Sequence, residues 1–220
     1  MPIRAAVFDV DGTVATCPYD FDAMRASVAA AAHKWGVDAA ELGVRGVIEQ
    51  IDLVDARLGA EGAAFRREAE DGVTAIEVAA ARTAELLPGA AEALADLKRR
   101  GVAIALITRN CRGAAQLVLR DLDSYSVLLT RDDVPLAKPD PDHVLRSLAA
   151  LGCRPDEAAV IGDHDYDMQS GRAAGVRLCI GVRTGGRSDD DLLWAGAHHV
   201  IDSLADLPGW LESQGEIAPC

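Results

Sequence analysis

Ala5-Ala6-Val7-Phe8-Asp9-Val10-Asp11-Gly12-Thr13 carries an apolar run straight into two carboxylates and a glycine. A strand that is apolar on both faces belongs in a sheet covered on both sides, and such sheets are parallel. The two aspartates then stand at the carboxyl end of the strand, where open α/β sheets bind their ligands. Their i, i+2 spacing aims both side chains to one side. Close like charges require a cation between them or a proton on one. Gly12 permits a sharp bend after them. Two aspartates at a strand end also serve as plain turn-formers, so the rest of the chain decides between the readings.

Further short apolar runs bounded by turn residues follow at Val102–Thr108, Ser126–Thr130, Ala158–Gly162, Val176–Val182 and His199–Ile201, with helical patterns between them. Strands alternating with helices predict an α/β fold, a Rossmann-like doubly wound parallel sheet. Asp140-Pro141 reads as an N-cap with proline at the first helical position, and Gly152 closes that helix; Pro88 and Gly101 bracket another.

The exception is a stretch of about 70 residues after the first strand, with helical periodicity at Phe21–Trp35, Ala39–Leu58 and Glu61–Leu86 and glycines at the joints. It predicts an inserted all-helical cap over residues 17–87, with residues 1–16 and 88–220 forming the α/β catalytic core. Tyr19, Arg45, Arg57 and Arg66 are its candidate substrate contacts, although such residues also serve as solvated helix positions.

Twenty-two basic and 35 acidic residues give a net charge of −13. That total repels a nucleic-acid backbone. It leaves a small phosphorylated ligand open, because a site's local charge can oppose the chain's total. The longest apolar run, Val102 to Ile107, is far short of the roughly 20 residues of a membrane span. The amino-terminal residues meet Asp9 before a signal-type apolar stretch of about 7–15 residues can form. Five scattered cysteines show no metal-ligand spacing. These features predict a cytoplasmic protein with reduced thiols; a monomer and a homodimer are equally compatible with them.

Three further strand ends carry chemistry. The second strand ends in Thr108-Arg109-Asn110, a hydroxyl, a guanidinium and an amide at a helix start, which suit a phosphate but also an ordinary N-cap. Lys138 precedes a helix and is one of three lysines against 19 arginines, a compact point charge in a chain that prefers the planar cation. The fourth strand opens into Gly162-Asp163-His164-Asp165-Tyr166-Asp167, and clustered aspartates supply the oxygen ligands that Mg²⁺ requires. Four such features at consecutive parallel-strand ends converge on one place.

In order and spacing, Asp9-Val10-Asp11-Gly12-Thr13, then Thr108, then Lys138, then Gly162 to Asp167 resemble the four motifs of the haloacid dehalogenase superfamily, in its phosphoglycolate phosphatase-like branch with a helical cap. The resemblance implies a Mg²⁺-dependent hydrolase of a small phosphomonoester metabolite, phosphoglycolate-like or a sugar phosphate. Asp9 would be the nucleophile that forms an aspartyl-phosphate, and Asp11 the acid and base that serves the leaving alcohol and then water. Thr108 and Lys138 would hold the transferred phosphoryl oxygens, with Gly12, Arg109 and Asn110 as further substrate contacts. Mg²⁺ would sit between Asp9, the backbone carbonyl of Asp11 and Asp163, with Asp167 either on the metal or just behind its ligands.

The chain departs from that pattern at His164, where a small hydroxyl residue is usual, at Arg109, where Asn is common, and in the Val14–Pro18 loop, which lacks the usual acid. A phosphomutase would use the same aspartyl-phosphate. A non-enzymatic phospho-acceptor would share the acids, the hydroxyl and the lysine, but would need neither Asp11 nor the cap. True dehalogenases lack the second aspartate, so Asp11 argues against that chemistry.

Overall fold

The computed structural model of the chain describes residues 2–39, 43 and 46–219. The chain divides into two compact units, Met1–Cys17 with Ala84–Cys220, and Pro18–Thr83.

In the first unit six strands form one sheet: β1 (Ala5–Asp9), β4 (Ala103–Ile107), β5 (Val127–Leu129), β6 (Ala158–Gly162), β7 (Leu178–Val182) and β8 (His199–Ile201). The order across the sheet is β5-β4-β1-β6-β7-β8, and every pairing is parallel. Counted along the chain, the order is 3-2-1-4-5-6, the doubly wound arrangement whose switch point lies beside the first strand. All five residues of β1 are buried, as expected of a central strand covered on both faces. Register fixes the site: Asp9 lies opposite Ile107, and Phe8 opposite Ile161. Thr108 and Asp163 therefore leave their strands at the same edge as Asp9.

Between these strands run α4 (Ala90–Arg99), α5 (Arg112–Val118), α6 (Asp142–Leu151), α7 (Asp165–Ala174) and α8 (Asp189–Trp194), with α9 (Leu207–Ser213) after β8. On one face of the sheet Val7, Ala105, Ile107 and Val160 pack with Val144 and Leu148 of α6 and Met168 of α7. On α4, Leu94 and Leu97 are wholly buried, and the helix lies against β4 and α9.

The second unit is helical: α1 (Phe21–Lys34), α2 (Val47–Leu58) and α3 (Gly62–Ala81) pack on one another. Met24, Val28, Ile51, Val54, Phe65, Ala69 and Val73 form its core. Asp20 caps α1 by accepting the N–H of Ala23 at 2.8 Å. Arg66 gathers Asp52 and Asp55, each at 2.6 Å, and Glu70 at 3.3 Å. That network gives Arg66 a structural occupation within its own unit. Arg45 lies outside the described residues.

Three boundaries differ from the sequence reading. The helix expected over Ala39–Leu58 begins at Val47, and residues 40–42, 44 and 45 lie outside the described set. The helix expected over Glu61–Leu86 stops at Ala81, because β3 (Glu85–Leu86) pairs antiparallel with β2 (Ala15–Thr16). Pro88 disfavours the helical region for Leu87, whose N–H goes instead to the carbonyl of Val14 at 2.9 Å. Helix α6 starts after Pro141, one residue later than the Asp140-Pro141 pattern predicts, with Asp140 Oδ1 accepting the N–H of Asp142 at 2.9 Å.

Candidate active site

The site is built at the carboxyl edge of the sheet, within the first unit. Asp9 is the last residue of β1 and is 7% exposed. Its Oδ1 accepts a hydrogen bond from Lys138 Nζ, and the same ammonium donates to Asp167 Oδ1 at 2.6 Å. Lys138 is 4% exposed and Asp167 1%. Asp163 completes the group: one carboxylate oxygen from each of Asp9, Asp163 and Asp167 lies within 4.8 Å of the others. Thr13 Oγ1 lies 3.0 Å from Asp163 Oδ1 and 3.4 Å from Asp9 Oδ2.

Asp11 faces different partners. Its Oδ2 accepts from Thr108 Oγ1 at 2.9 Å and from Asn110 Nδ2 at 2.7 Å, and Thr108 Oγ1 in turn accepts the N–H of Asn110 at 3.1 Å. The two aspartates of the first motif thus have different partners, Asp9 an ammonium and neighbouring carboxylates, Asp11 the hydroxyl of Thr108 and the amide of Asn110. Separate environments are what allow two carboxyls to take different roles.

Local chain geometry explains the convergence. After Asp11 the backbone turns tightly, with Gly12 N–H donating to Ala15 O at 2.8 Å and Val14 N–H to Val10 O at 2.8 Å. Gly12 has φ +87°, and a Cβ there would stand 2.6 Å from Asp163 Oδ2. A side chain at this position would be strained and would also collide with the carboxylate. After β6, His164 caps α7: its Nδ1 accepts the N–H of Tyr166 at 3.2 Å, while its own N–H donates to Asp167 Oδ2 at 3.0 Å. Gly162 leaves room beside Asp167, whose Cγ would lie 2.3 Å from a Cβ there.

Electrostatics follow from burial. Desolvation pushes the Asp9 carboxyl up to about 6, against the pull of Lys138. Asp167 is pushed up to about 6 in the same way, and Asp163 is raised by burial and by Asp167. Burial alone would lower Lys138, but Asp167 and Asp9 outweigh it and hold the ammonium charged. Three carboxylates against one ammonium leave a buried excess of negative charge, which calls for a cation. The donors are all oxygen and their atoms converge, so the set fits a hard divalent ion. The side chain of Asp11 lies outside that triad, on Thr108 and Asn110.

Of the predicted site residues, Asp9, Lys138, Asp163 and Asp167 are brought together, with Gly12 against them. Asp11, Thr108 and Asn110 form the neighbouring group. The guanidinium carbon of Arg109 lies 4.9 Å from the centre of the Tyr166 ring. Thr13, quoted in the sequence but given no role, is wholly buried and touches both Asp9 and Asp163. Its signal is its place four residues after Asp9 in the turn. Among the described residues, Cys17, Cys111, Cys153 and Cys179 are not joined in disulfides, and burial pushes Cys179 up to about 12.

Residues 3–175 match the family model for haloacid dehalogenase-like hydrolases. The plasmid phosphoglycolate phosphatase of Cupriavidus necator is 31% identical over 100% of this chain and 97% of its own length. The pyrophosphatase PpaX of Bacillus velezensis is 34% identical over 53% of this chain and 55% of its own. Among solved structures, a hydrolase from Pseudomonas syringae superposes with a TM-score of 0.68 at 25% identity, covering 96% of this chain and 98% of that one.

Proposed function

Because this chain belongs to the haloacid dehalogenase-like hydrolases, we propose that it is a Mg²⁺-dependent phosphatase that hydrolyses a small phosphomonoester through a phosphoryl group carried on Asp9. The observation that carries this reading is the pair of differently held aspartates. Asp9 presents a buried carboxylate beside Lys138, and Asp11 stands two residues on, held by Thr108 and Asn110. An oxygen of Asp9 attacks phosphorus as the ester P–O bond breaks, and Asp11 gives its proton to the departing alkoxide. Asp11 then takes a proton from the water that attacks phosphorus, which returns Asp9 as a free carboxylate and releases phosphate.

Lys138 offsets the charge that gathers on the phosphoryl oxygens while keeping Asp9 ionised. Thr108 binds a phosphoryl oxygen by exchanging its bond to Asp11 for one to the substrate. Mg²⁺ would be held by Asp9, Asp163, Asp167 and the carbonyl of Asp11, and when bound it supplies positive charge against the transferred group. With that ion and Lys138 in place, a chain of net charge −13 admits a single phosphate.

Phosphoglycolate is the first substrate to test, since the relative bearing that activity in its name matches end to end, whereas the pyrophosphatase matches over about half its length. A phosphate-release panel of phosphoglycolate, sugar phosphates, nucleoside monophosphates and pyrophosphate is expected to give the largest kcat/KM with phosphoglycolate. A preference for pyrophosphate would overturn the substrate assignment. Transfer to a sugar phosphate without free phosphate would favour a mutase.

The metal reading has a signed consequence. Asp9 and Asp167 have pKa values raised above the ordinary carboxylate value of 3.8 to about 6. Without a cation the folded site holds protons more tightly than the unfolded chain, so these groups favour folding at low pH and lose that contribution as pH rises through about 6. Mg²⁺ competes with those protons. The increase in Tm produced by millimolar Mg²⁺ over EDTA is therefore expected to be larger at about pH 7.5 than at about pH 5. An equal increase at both would count against the carboxylate site.

A further inference from the structure

The loop after β7 belongs to none of the motifs read from the sequence, yet it reaches both sides of the carboxylate triad. Thr184 Oγ1 donates to the carbonyl of Gly12 at 2.6 Å, which ties the loop to the turn that follows β1. Gly185 lies flat against Asp163. A Cβ built on it would stand 1.8 Å from Asp163 Oδ2, 2.4 Å from Cγ and 2.5 Å from Cβ. On Gly12 a Cβ would stand 2.6 Å from the same Oδ2 and 2.8 Å from Cγ. Two glycine backbones thus crowd the Asp163 carboxylate so closely that neither tolerates a side chain. Its other oxygen is engaged by Thr13 at 3.0 Å. Further along, Arg187 Nη2 lies 2.7 Å from His164 Nε2 and 3.0 Å from Asp165 Oδ1. The loop is therefore fastened at its far end to the start of α7, whose first turn carries Asp167.

We propose that Thr184 and Gly185 are positioning residues which fix the Asp163 side chain and thereby set the affinity of the triad for a divalent cation. The inference rests on the metal-dependent reading above. Its physical basis is preorganisation: a ligand that keeps its rotamer freedom loses it on binding a metal, and one already held does not. Partners that orient metal ligands typically account for about 10–100-fold in metal affinity. Gly185→Ala forces Asp163 to move, because Cγ and Cβ as well as the terminal oxygen are in its way and Gly12 limits the retreat. Thr184→Val keeps the shape of the side chain and removes only the hydrogen bond to Gly12. Thr184→Ser restores that bond.

The test is Mn²⁺ binding to the full chain, read from the electron paramagnetic resonance of the free ion, with Asp163→Asn as the reference. Binding is expected to be lost in Asp163→Asn and weakened about 10–100-fold in Gly185→Ala. Thr184→Val should be weakened by a smaller factor, and Thr184→Ser should stay near wild type. Wild-type affinity in both Gly185→Ala and Thr184→Val, with Asp163→Asn defective, would overturn the proposal and leave the metal site standing. Equal losses in Thr184→Val and Thr184→Ser would also overturn it, because the hydroxyl would then not be the cause. If Asp163→Asn binds as wild type, the metal reading itself fails. Circular dichroism checks the fold of each variant, and should Gly185→Ala not fold, the two Thr184 variants decide alone.

Discussion

Asp9→Asn is expected to reduce phosphate release from p-nitrophenyl phosphate in Mg²⁺ to the uncatalysed background. The amide has the size of the carboxylate but cannot attack phosphorus, so no phosphoryl-enzyme forms and there is nothing for water to hydrolyse. The fold should survive, because Lys138 keeps Asp167 at 2.6 Å as its partner, and the buried site loses one of its three mutually repelling acids. Initial rates, together with a circular dichroism spectrum matching wild type, check both halves of the expectation. A folded Asp9→Asn protein with substantial turnover would show that the nucleophile is another group.

Lys138→Ala is expected to lower kcat on the order of 10²–10³-fold, the usual consequence of removing one preorganised charge from a transition state. Here the lysine also separates Asp9 from Asp167, so its loss leaves the carboxylates facing one another without a counter-charge. Breaking a buried pair of this kind typically costs about 3–5 kcal/mol, so the variant should also unfold at lower denaturant in EDTA, with Mg²⁺ restoring part of the loss. Steady-state kinetics at saturating Mg²⁺ separate the effects. A raised KM with unchanged kcat would mean that Lys138 binds ground state and transition state alike.

The six strands of the main sheet were legible because parallel strands buried on both faces must be nearly continuous in apolar residues. Every residue of Ala5–Asp9 and of Ala158–Gly162 is buried. The carboxyl-edge convergence followed from the doubly wound order, which puts Asp9, Thr108 and Asp163 on one rim whatever the details of the loops. Short elements gave no such signal. The pairing of Ala15–Thr16 with Glu85–Leu86 involves two residues on each side, too few for a period-2 pattern to register. A helical pattern running through Glu61–Leu86 therefore concealed the strand.

The candidate site divides in the same way. Residues whose chemistry is conspicuous, such as the acids and Lys138, could be picked out by type and position. Residues whose contribution is shape could not. Thr13 reads as a turn residue until it is found bridging Asp9 and Asp163, and Gly185 reads as one more loop glycine until Asp163 is found against it. His164 reads in the sequence as a departure from the family pattern. In the fold it caps α7, and its backbone N–H holds Asp167. Asn110 and Thr108, expected to meet the substrate, each donate a hydrogen bond to Asp11 Oδ2, a relation between loops that no spacing rule reveals.

The central claim, that the phosphoryl group passes through Asp9, is tested most directly by trapping it. Enzyme turning over substrate in Mg²⁺ is quenched in acid and reduced with borohydride, which converts an aspartyl-phosphate to homoserine, and its peptides are read by mass spectrometry. Conversion is expected at Asp9 alone and only when substrate was present. Phosphate release with Asp9 unmodified, or conversion at a different carboxylate, would contradict the account.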